Sequence, residues 1–287
     1  MLGAPSPDHC EICAGMTRRR PLRGGGSLRR CEDCGHLTRD LQDAPAGHRD
    51  RAYGGEPTLD AWRLALTYRL LTAHGRPGSV FEVGFGAGSL LRRFLDAGAT
   101  VAGTDPDQLA VDVDPVVRAR GDLHAAAIED LPPTAAQVEL VYGIHVLEHV
   151  RDPLRTLERA ADLLSPDGRV QFLTPAGDSA GLRLYGSAWW MLEDPTHVRF
   201  FTAESLRRAA LSVGLTDVRV TRPVMDSLVT DVASIARRLR PRARPHGVLA
   251  ERPVLVAGLA SAPLVLGARA IHPGLRPTLQ LTARKPA

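Results

Sequence analysis

Beyond residue 78 the chain alternates between two hydrophobic patterns. Short apolar runs at Ser79–Val83, Thr100–Thr104, Val138–Tyr142, Arg169–Thr174 and Val218–Thr221 read as strands, with Ala125–Ile128 as a further short strand and Thr278–Ala283 as a closing one. Between them Leu90–Ala97, Pro115–Ala119, Pro153–Leu164 and Glu204–Val213 read as helices, punctuated by Gly98, Pro166 and Gly214. An earlier helix is predicted over Leu59–Ala73, where Leu59, Trp62, Leu66, Leu70 and Ala73 recur at helical spacing before Pro77-Gly78 breaks the chain. This alternation predicts an α/β fold: a doubly wound, mostly parallel seven-stranded sheet with helices on both faces.

The two ends lack the pattern. Residues 1–40 are rich in Cys, Arg and Gly and have too little apolar periodicity to build a core unaided. Residues 253–268 are uncharged, mostly Ala, Val, Leu and Gly, and bracketed by Arg252 and Arg269. Interrupted by Pro253 and Pro263, this stretch falls short of the ~20 residues that span a bilayer. It reads either as a buried helical hairpin or as a membrane-surface segment, which makes 237–270 a candidate peripheral membrane contact.

The 287-residue chain is 44% hydrophobic and only 5% aromatic, so its core falls to Leu, Val and Ala. Its net charge of +4 is unevenly spread. Arg18, Arg19, Arg20, Arg23, Arg29 and Arg30 form one cluster; Arg237, Arg238, Arg240, Arg242 and Arg244 form another. Such clusters suit a carrier or another anionic partner, or form a solvated face. No apolar run opens the chain, so a cytoplasmic protein is expected.

The segment Glu82-Val83-Gly84-Phe85-Gly86-Ala87-Gly88 follows a predicted strand and precedes a predicted helix. Glycines there allow tight turning and close approach of a ligand to the backbone, and the helix start offers N–H donors. Ser89 stands where a dinucleotide fingerprint requires its third glycine. Asp105-Pro106 ends the second strand, 17 residues after Gly88, where a carboxylate can accept the hydroxyls of a ribose.

This glycine loop with an acid closing strand two resembles the first two motifs of class I S-adenosylmethionine-dependent methyltransferases. Four later segments are similar to that family: Ile128-Glu129-Asp130-Leu131-Pro132, Tyr142–Val150, Leu163–Gly168 and Pro195–Thr202. The resemblance implies S-adenosylmethionine as cofactor. Glu82, Gly84, Phe85, Gly86 and Gly88 would border its methionine part, Asp105 and Pro106 its ribose, Ile128 its adenine and Gly143 its sulfonium, with Tyr53 closing over it. Many relatives have an acid where this chain has Ala127, so the adenine amine would meet backbone or Glu129. The division that follows is a metal module over 1–40, a linker and helix over 41–76, the cofactor-binding core over 77–226, and a basic and apolar extension with a closing strand over 227–287.

Methyl transfer needs alignment and, for many acceptors, a base. His145 and His149 follow predicted strand four with Glu148 between them, and His197 sits in a Pro-bounded loop beside Trp189, Trp190 and Phe200; these three histidines are the catalytic candidates. Cys10-x-x-Cys13 and Cys31-x-x-Cys34 lie 17 residues apart, the spacing of a zinc ribbon, so a structural zinc is expected. The favoured function is methylation of a small-molecule acceptor, a natural product or glycan. Two alternatives stay open: an RNA base methyltransferase, and an assembly protein or cyclase that binds the cofactor without donating methyl. RNA is the less favoured partner, because no aromatic-rich base-stacking motif is evident.

Overall fold

The computed structural model describes residues 8–40, 57–106, 112–132, 137–240 and 251–286. Tyr53, Arg242 and Arg244 lie outside the described residues. The elements are β1 (Thr17–Pro21), β2 (Ser27–Cys31), β3 (Leu37–Thr38), α1 (Pro57–Leu71), β4 (Ser79–Val83), α2 (Ser89–Asp96), β5 (Thr100–Thr104), α3 (Pro115–Arg120), β6 (Asp122–His124), β7 (Val138–Ile144), α4 (Pro153–Asp162), β8 (Leu164–Pro175), α5 (Ala180–Tyr185), β9 (Arg199–Phe200), α6 (Ala203–Ser212), β10 (Thr216–Thr221), α7 (Thr230–Leu239), α8 (Arg252–Ile271) and β11 (Thr278–Arg284).

Seven strands form one sheet in the order β10-β11-β8-β7-β4-β5-β6, the architecture of class I methyltransferases. From β6 to β8 the neighbours are parallel, in registers such as Phe81↔Ala102 and Val83↔Gly143. The chain steps outward from β4 through β5 to β6, then returns to the other side of β4 as β7 and continues to β8. The strand order therefore reverses between β4 and β7, and a crevice opens at the carboxyl ends of strands at such a point.

Two compact units are distinguished. One comprises Gly47–Leu173, Ala209–Arg219 and Leu281–Ala287. Its core gathers Leu71, Val80, Leu91, Phe94, Val101, Leu140 and Tyr142. A large apolar side chain buried this fully contributes about 1.5–3 kcal/mol. Helix α2 supplies Leu90, Leu91, Phe94 and Leu95 from one face, and the Phe94 ring lies 5.0 Å from Tyr68 and 5.5 Å from Tyr142. Helices α3 and α4 both begin Asp-Pro: the Asp114 and Asp152 carboxylates accept backbone N–H bonds while Pro115 and Pro153 pre-set the first turn. Such a cap is worth about 1 kcal/mol.

The other unit comprises Met1–Ala46, Thr174–Arg208 and Val220–Gln280. It contains a four-stranded sheet in the order β1-β2-β3-β9. The cysteine-bearing hairpin thus ends on a strand drawn from far along the chain, with Leu37 opposite Phe200 and Thr38 opposite Arg199. These units interleave the chain, unlike the consecutive blocks 1–40, 41–76, 77–226 and 227–287 expected from sequence.

Several local expectations are corrected. The third strand is Asp122–His124 rather than Ala125–Ile128, because pairing with Ala102–Thr104 selects the more polar tripeptide; Ile128 instead opens a single 3-10 turn. In α1 the packed stripe is Leu64, Tyr68 and Leu71, and Trp62 faces solvent. Residues 253–268 form no hairpin. They belong to α8, one 20-residue helix that runs through Pro263 and is long and apolar enough to cross a membrane.

Candidate functional site

The glycine loop lies at the carboxyl end of β4, beside the reversal in strand order. Gly84, Gly86 and Gly88 all take left-handed backbone, with φ of 73°, 52° and 72°. Their surroundings differ. A Cβ at Gly84 would lie 2.8 Å from Val146 Cγ2, and one at Gly88 would lie 3.1 Å from Val117 Cγ1. At Gly86 nothing lies within 4 Å, so its bare backbone faces open space. Asp105 Oδ2 accepts the Gly86 N–H at 2.8 Å, and the Asp114 N–H binds the Ala87 carbonyl at 3.0 Å. The loop is thereby fixed to the end of β5 and the start of α3.

Two loop residues point inward. Phe85 is buried in the core, close to Gly103, and offers the loop only its carbonyl, which accepts the Gly88 N–H. Glu82 is buried and accepts the Tyr142 hydroxyl at 3.0 Å. Burial raises its pKa well above the usual carboxylate range, the Tyr142 bond opposes the rise, and the Asp105 charge adds to it. Burial beneath the loop thus favours the protonated form of Glu82. Pro106 is exposed just past Asp105.

On the other strands, Ile128 is buried, and the Glu129 carboxylate accepts the Thr156 hydroxyl. Gly143 has a packing reason: a Cβ there would meet the Phe172 ring at 2.6 Å. His145 follows β7 with φ of 56°, a conformation that costs a non-glycine residue about 1 kcal/mol and concentrates at functional sites. Its Nδ1 lies 3.0 Å from Glu148 Oε1. Burial alone would raise the Glu148 pKa, but the His145 bond and the charges of His145 and His149 hold it below the ordinary value. A carboxylate only accepts, so Nδ1 carries the proton and Nε2 is the basic nitrogen. The His149 N–H closes a turn onto the Val146 carbonyl.

His197 belongs to the other unit and is fully buried. Its Nδ1 donates to the Met191 carbonyl at 2.7 Å, its Nε2 lies 3.7 Å from Asp194 Oδ2, and its ring meets Phe200 edge-on. Trp189 and Trp190 are buried core residues of the same unit.

The four cysteines come together. Cys10 Sγ lies 3.7 Å from Cys34 Sγ and Cys13 Sγ lies 3.5 Å from Cys31 Sγ, with all four within 4.8 Å of one another and none disulfide-bonded. Tetrahedral zinc with Zn–S near 2.3 Å places its ligands about 3.8 Å apart, so the cage has the right size.

Sequence reasoning missed the residues that tie this cage to β9. Glu11, inside the first Cys-x-x-Cys turn, accepts two bonds from Arg199 at 2.8 and 2.9 Å and meets His36 Nε2 at 3.0 Å, all three nearly buried. Thr202 Oγ1 donates to the Cys34 carbonyl at 2.7 Å. Arg39 binds three carbonyls: His197 through Nε at 2.8 Å, and Leu192 and Asp194 through Nη2 at 2.8 and 3.1 Å. A lone charged residue inside a polar segment gives no sequence signal of such burial.

Comparison with known proteins fits this geometry. A family model described as a methyltransferase domain matches residues 58–220, more than half of the chain. The chain belongs to that family. Over 129 residues it is 31% identical to a malonyl-acyl-carrier protein O-methyltransferase of Pseudescherichia vulneris, covering 45% of this chain and 51% of that protein. It is 36% identical over 124 residues to a ubiquinone biosynthesis O-methyltransferase of Vibrio parahaemolyticus, covering 39% and 50%. The chain thus spans about half the length of these curated relatives. The structure of Haemonchus contortus phosphoethanolamine N-methyltransferase 2, in complex with phosphomonomethylethanolamine and S-adenosylhomocysteine, shares the fold with a TM-score of 0.52 at 15% identity, covering 84% of this chain and 56% of that one.

Proposed function

We propose that this chain binds S-adenosylmethionine at the β4/β7 edge and transfers its methyl group directly to a small-molecule acceptor, a natural product or glycan. The carrying observation is the glycine loop. Gly86 faces open space with its N–H on the Asp105 carboxylate, at the point where strand order reverses. Bare left-handed backbone suits the cofactor's amino-acid part, and a buried carboxylate at the end of β5 suits a ribose. The O-methyltransferase names of both relatives support an oxygen acceptor.

The bound cofactor supplies an electrophilic methyl, and the chain's residues do the rest. The Gly84–Gly88 backbone admits the cofactor, Asp105 orients it, and Ile128 bounds it on the apolar side. His145 takes the acceptor's proton at Nε2 while Glu148 holds the ring and stabilises the cation. His149 keeps the turn that carries both, and His197 orders its own loop from within.

Titration with S-adenosylmethionine, then a labelled-methyl assay over an acceptor panel, tests this reading. Saturable cofactor binding is expected, with His145→Ala lowering turnover about 10²–10⁴-fold at unchanged cofactor affinity. Undiminished turnover in that variant would remove His145 as the base. Cofactor binding without methyl transfer to any acceptor would favour the assembly or cyclase alternative.

We also infer a structural zinc on Cys10, Cys13, Cys31 and Cys34. Its thiolate ligands suit a reducing compartment such as the cytoplasm. Protein purified without metal would discard it. An RNA acceptor is the second reading, favoured by Arg18, Arg19 and Arg20, which are all exposed on β1. A salt-sensitive gel shift with RNA would elevate it.

A further inference from the structure

Helices on a soluble surface ordinarily turn polar residues outward; α8 does not. Along α7 and α8 the fully exposed positions carry only apolar residues, glycine and arginine, with no acid, amide or hydroxyl among them. The outward side of α8 presents Val256, Leu259, Leu264 and Ile271, with Val256 65% and Leu264 78% exposed. On α7, Ile235 and Leu239 are exposed as well.

The inward side of α8 is fastened to its own unit. Its buried residues are Val254, Gly258 and Arg269, which share one stripe. Gly258 lies on Val229 so closely that a Cβ would sit 3.0 Å from Val229 Cγ1. Arg269 turns inward to the Asp226 carbonyl at 2.8 Å and the Asp231 carboxylate at 3.1 Å. The one cation in the helix body is thus neutralised beneath it, and the outward side stays apolar over about 30 Å of helix. The exposed charges of the pair are Arg238, Arg240 and Arg252, all of one sign.

We propose that α8 lies in the plane of an anionic bilayer, its outward side among the acyl chains and the flanking arginines at lipid phosphates. Apolar area supplies the attachment and the arginines select anionic lipid. Crossing the bilayer would strip Arg269 from Asp231. A second copy of this chain would bring only further arginines of the same sign to this face, whereas an anionic surface complements them. This inference is independent of methyl transfer.

Flotation of the full chain with phosphatidylcholine vesicles, with and without about 30% phosphatidylglycerol, tests it. The protein should float with the anionic vesicles. Leu259→Asp with Leu264→Asp should weaken binding by about tenfold or more. Arg238→Glu with Arg240→Glu should weaken binding to anionic vesicles alone. Unchanged melting temperatures establish that the variants fold, and Leu264→Ser serves if the double aspartate does not. Three results overturn the proposal: no flotation with anionic vesicles at low salt, flotation indifferent to the leucine substitutions, and vesicle-bound protein that resists alkaline carbonate, which marks a crossing helix. Dimers lost on the leucine substitutions, without flotation, would assign the face to a second copy.

Discussion

Gly84 and Gly86 share left-handed backbone but differ in what a methyl group would meet. Alanine costs about 1 kcal/mol at either site for conformation alone. At Gly84 the new Cβ would also crowd Val146, whereas at Gly86 it would project into open space. Gly84→Ala should therefore lower the melting temperature clearly more than Gly86→Ala, which pays the conformational cost alone, while Gly86→Ala should still weaken cofactor binding at least tenfold. Calorimetric titration beside thermal melts checks the contrast, and equal binding by Gly86→Ala and the parent would place the cofactor elsewhere. Glu82 gives a pH signature. A pKa raised by burial means that the folded state holds this proton more tightly than the unfolded state. Its stabilising contribution is complete below the ordinary value of 4.5 and is lost as pH rises through the folded value. Glu82→Gln stays neutral and can still accept the Tyr142 hydroxyl, so its melting temperature should gain on the parent as pH increases. A gap that is constant from acid to alkaline pH would mean that Glu82 is ionised in the fold. The loop and Asp105 were legible in the sequence because glycine spacing and strand-end acids are local signals. The inward turn of Phe85 and the Phe172 contact behind Gly143 depend on packing and were not.

At the scale of elements, long periodic segments were legible and short paired ones were not. Helices α2, α4 and α6 and strands β4, β5 and β7 lie within a few residues of their expected positions, because each carries its own apolar face. Strands β3 and β9 are two residues each and have no period to read; they exist because Leu37 and Thr38 pair with Phe200 and Arg199. Strand β6 likewise owes its register to β5. Arg39, immediately after β3, fixes the turn before β9 by binding the carbonyls of Leu192, Asp194 and His197. Arg39→Ala strands three carbonyls and should destabilise by about 3 kcal/mol, since leaving a buried acceptor unmade costs about 1–3 kcal/mol and such losses do not add fully. Arg39→Lys supplies a single ammonium for a planar fork and should recover only part. If Arg39 holds this turn, hydrogen exchange at residues 191–198 should quicken in both variants. Unchanged exchange there would reduce Arg39 to a surface contact.

The whole molecule departs furthest from a linear reading, and the departure bears on what the metal does. As an appendage over 1–40, the cysteine cage would stabilise only the polar segment that contains it. In the structure its sheet is completed by β9, and Glu11 and Cys34 are bonded to Arg199 and Thr202. A zinc on the four thiolates would then stabilise two stretches of chain some 160 residues apart, including the His197 loop. Structural zinc contributes about 10–16 kcal/mol in small thiolate sites, more than the stability of most domains. Its removal should unfold whatever depends on it. Under a strong chelator, hydrogen exchange over 17–38 and over 199–202 should accelerate together by at least tenfold, while 79–104, which forms β4, the glycine loop and β5, keeps its protection and its cofactor affinity. Exchange that quickens only over 8–38, with 199–202 still protected, would restore the appendage and leave the cage no part in ordering the His197 loop.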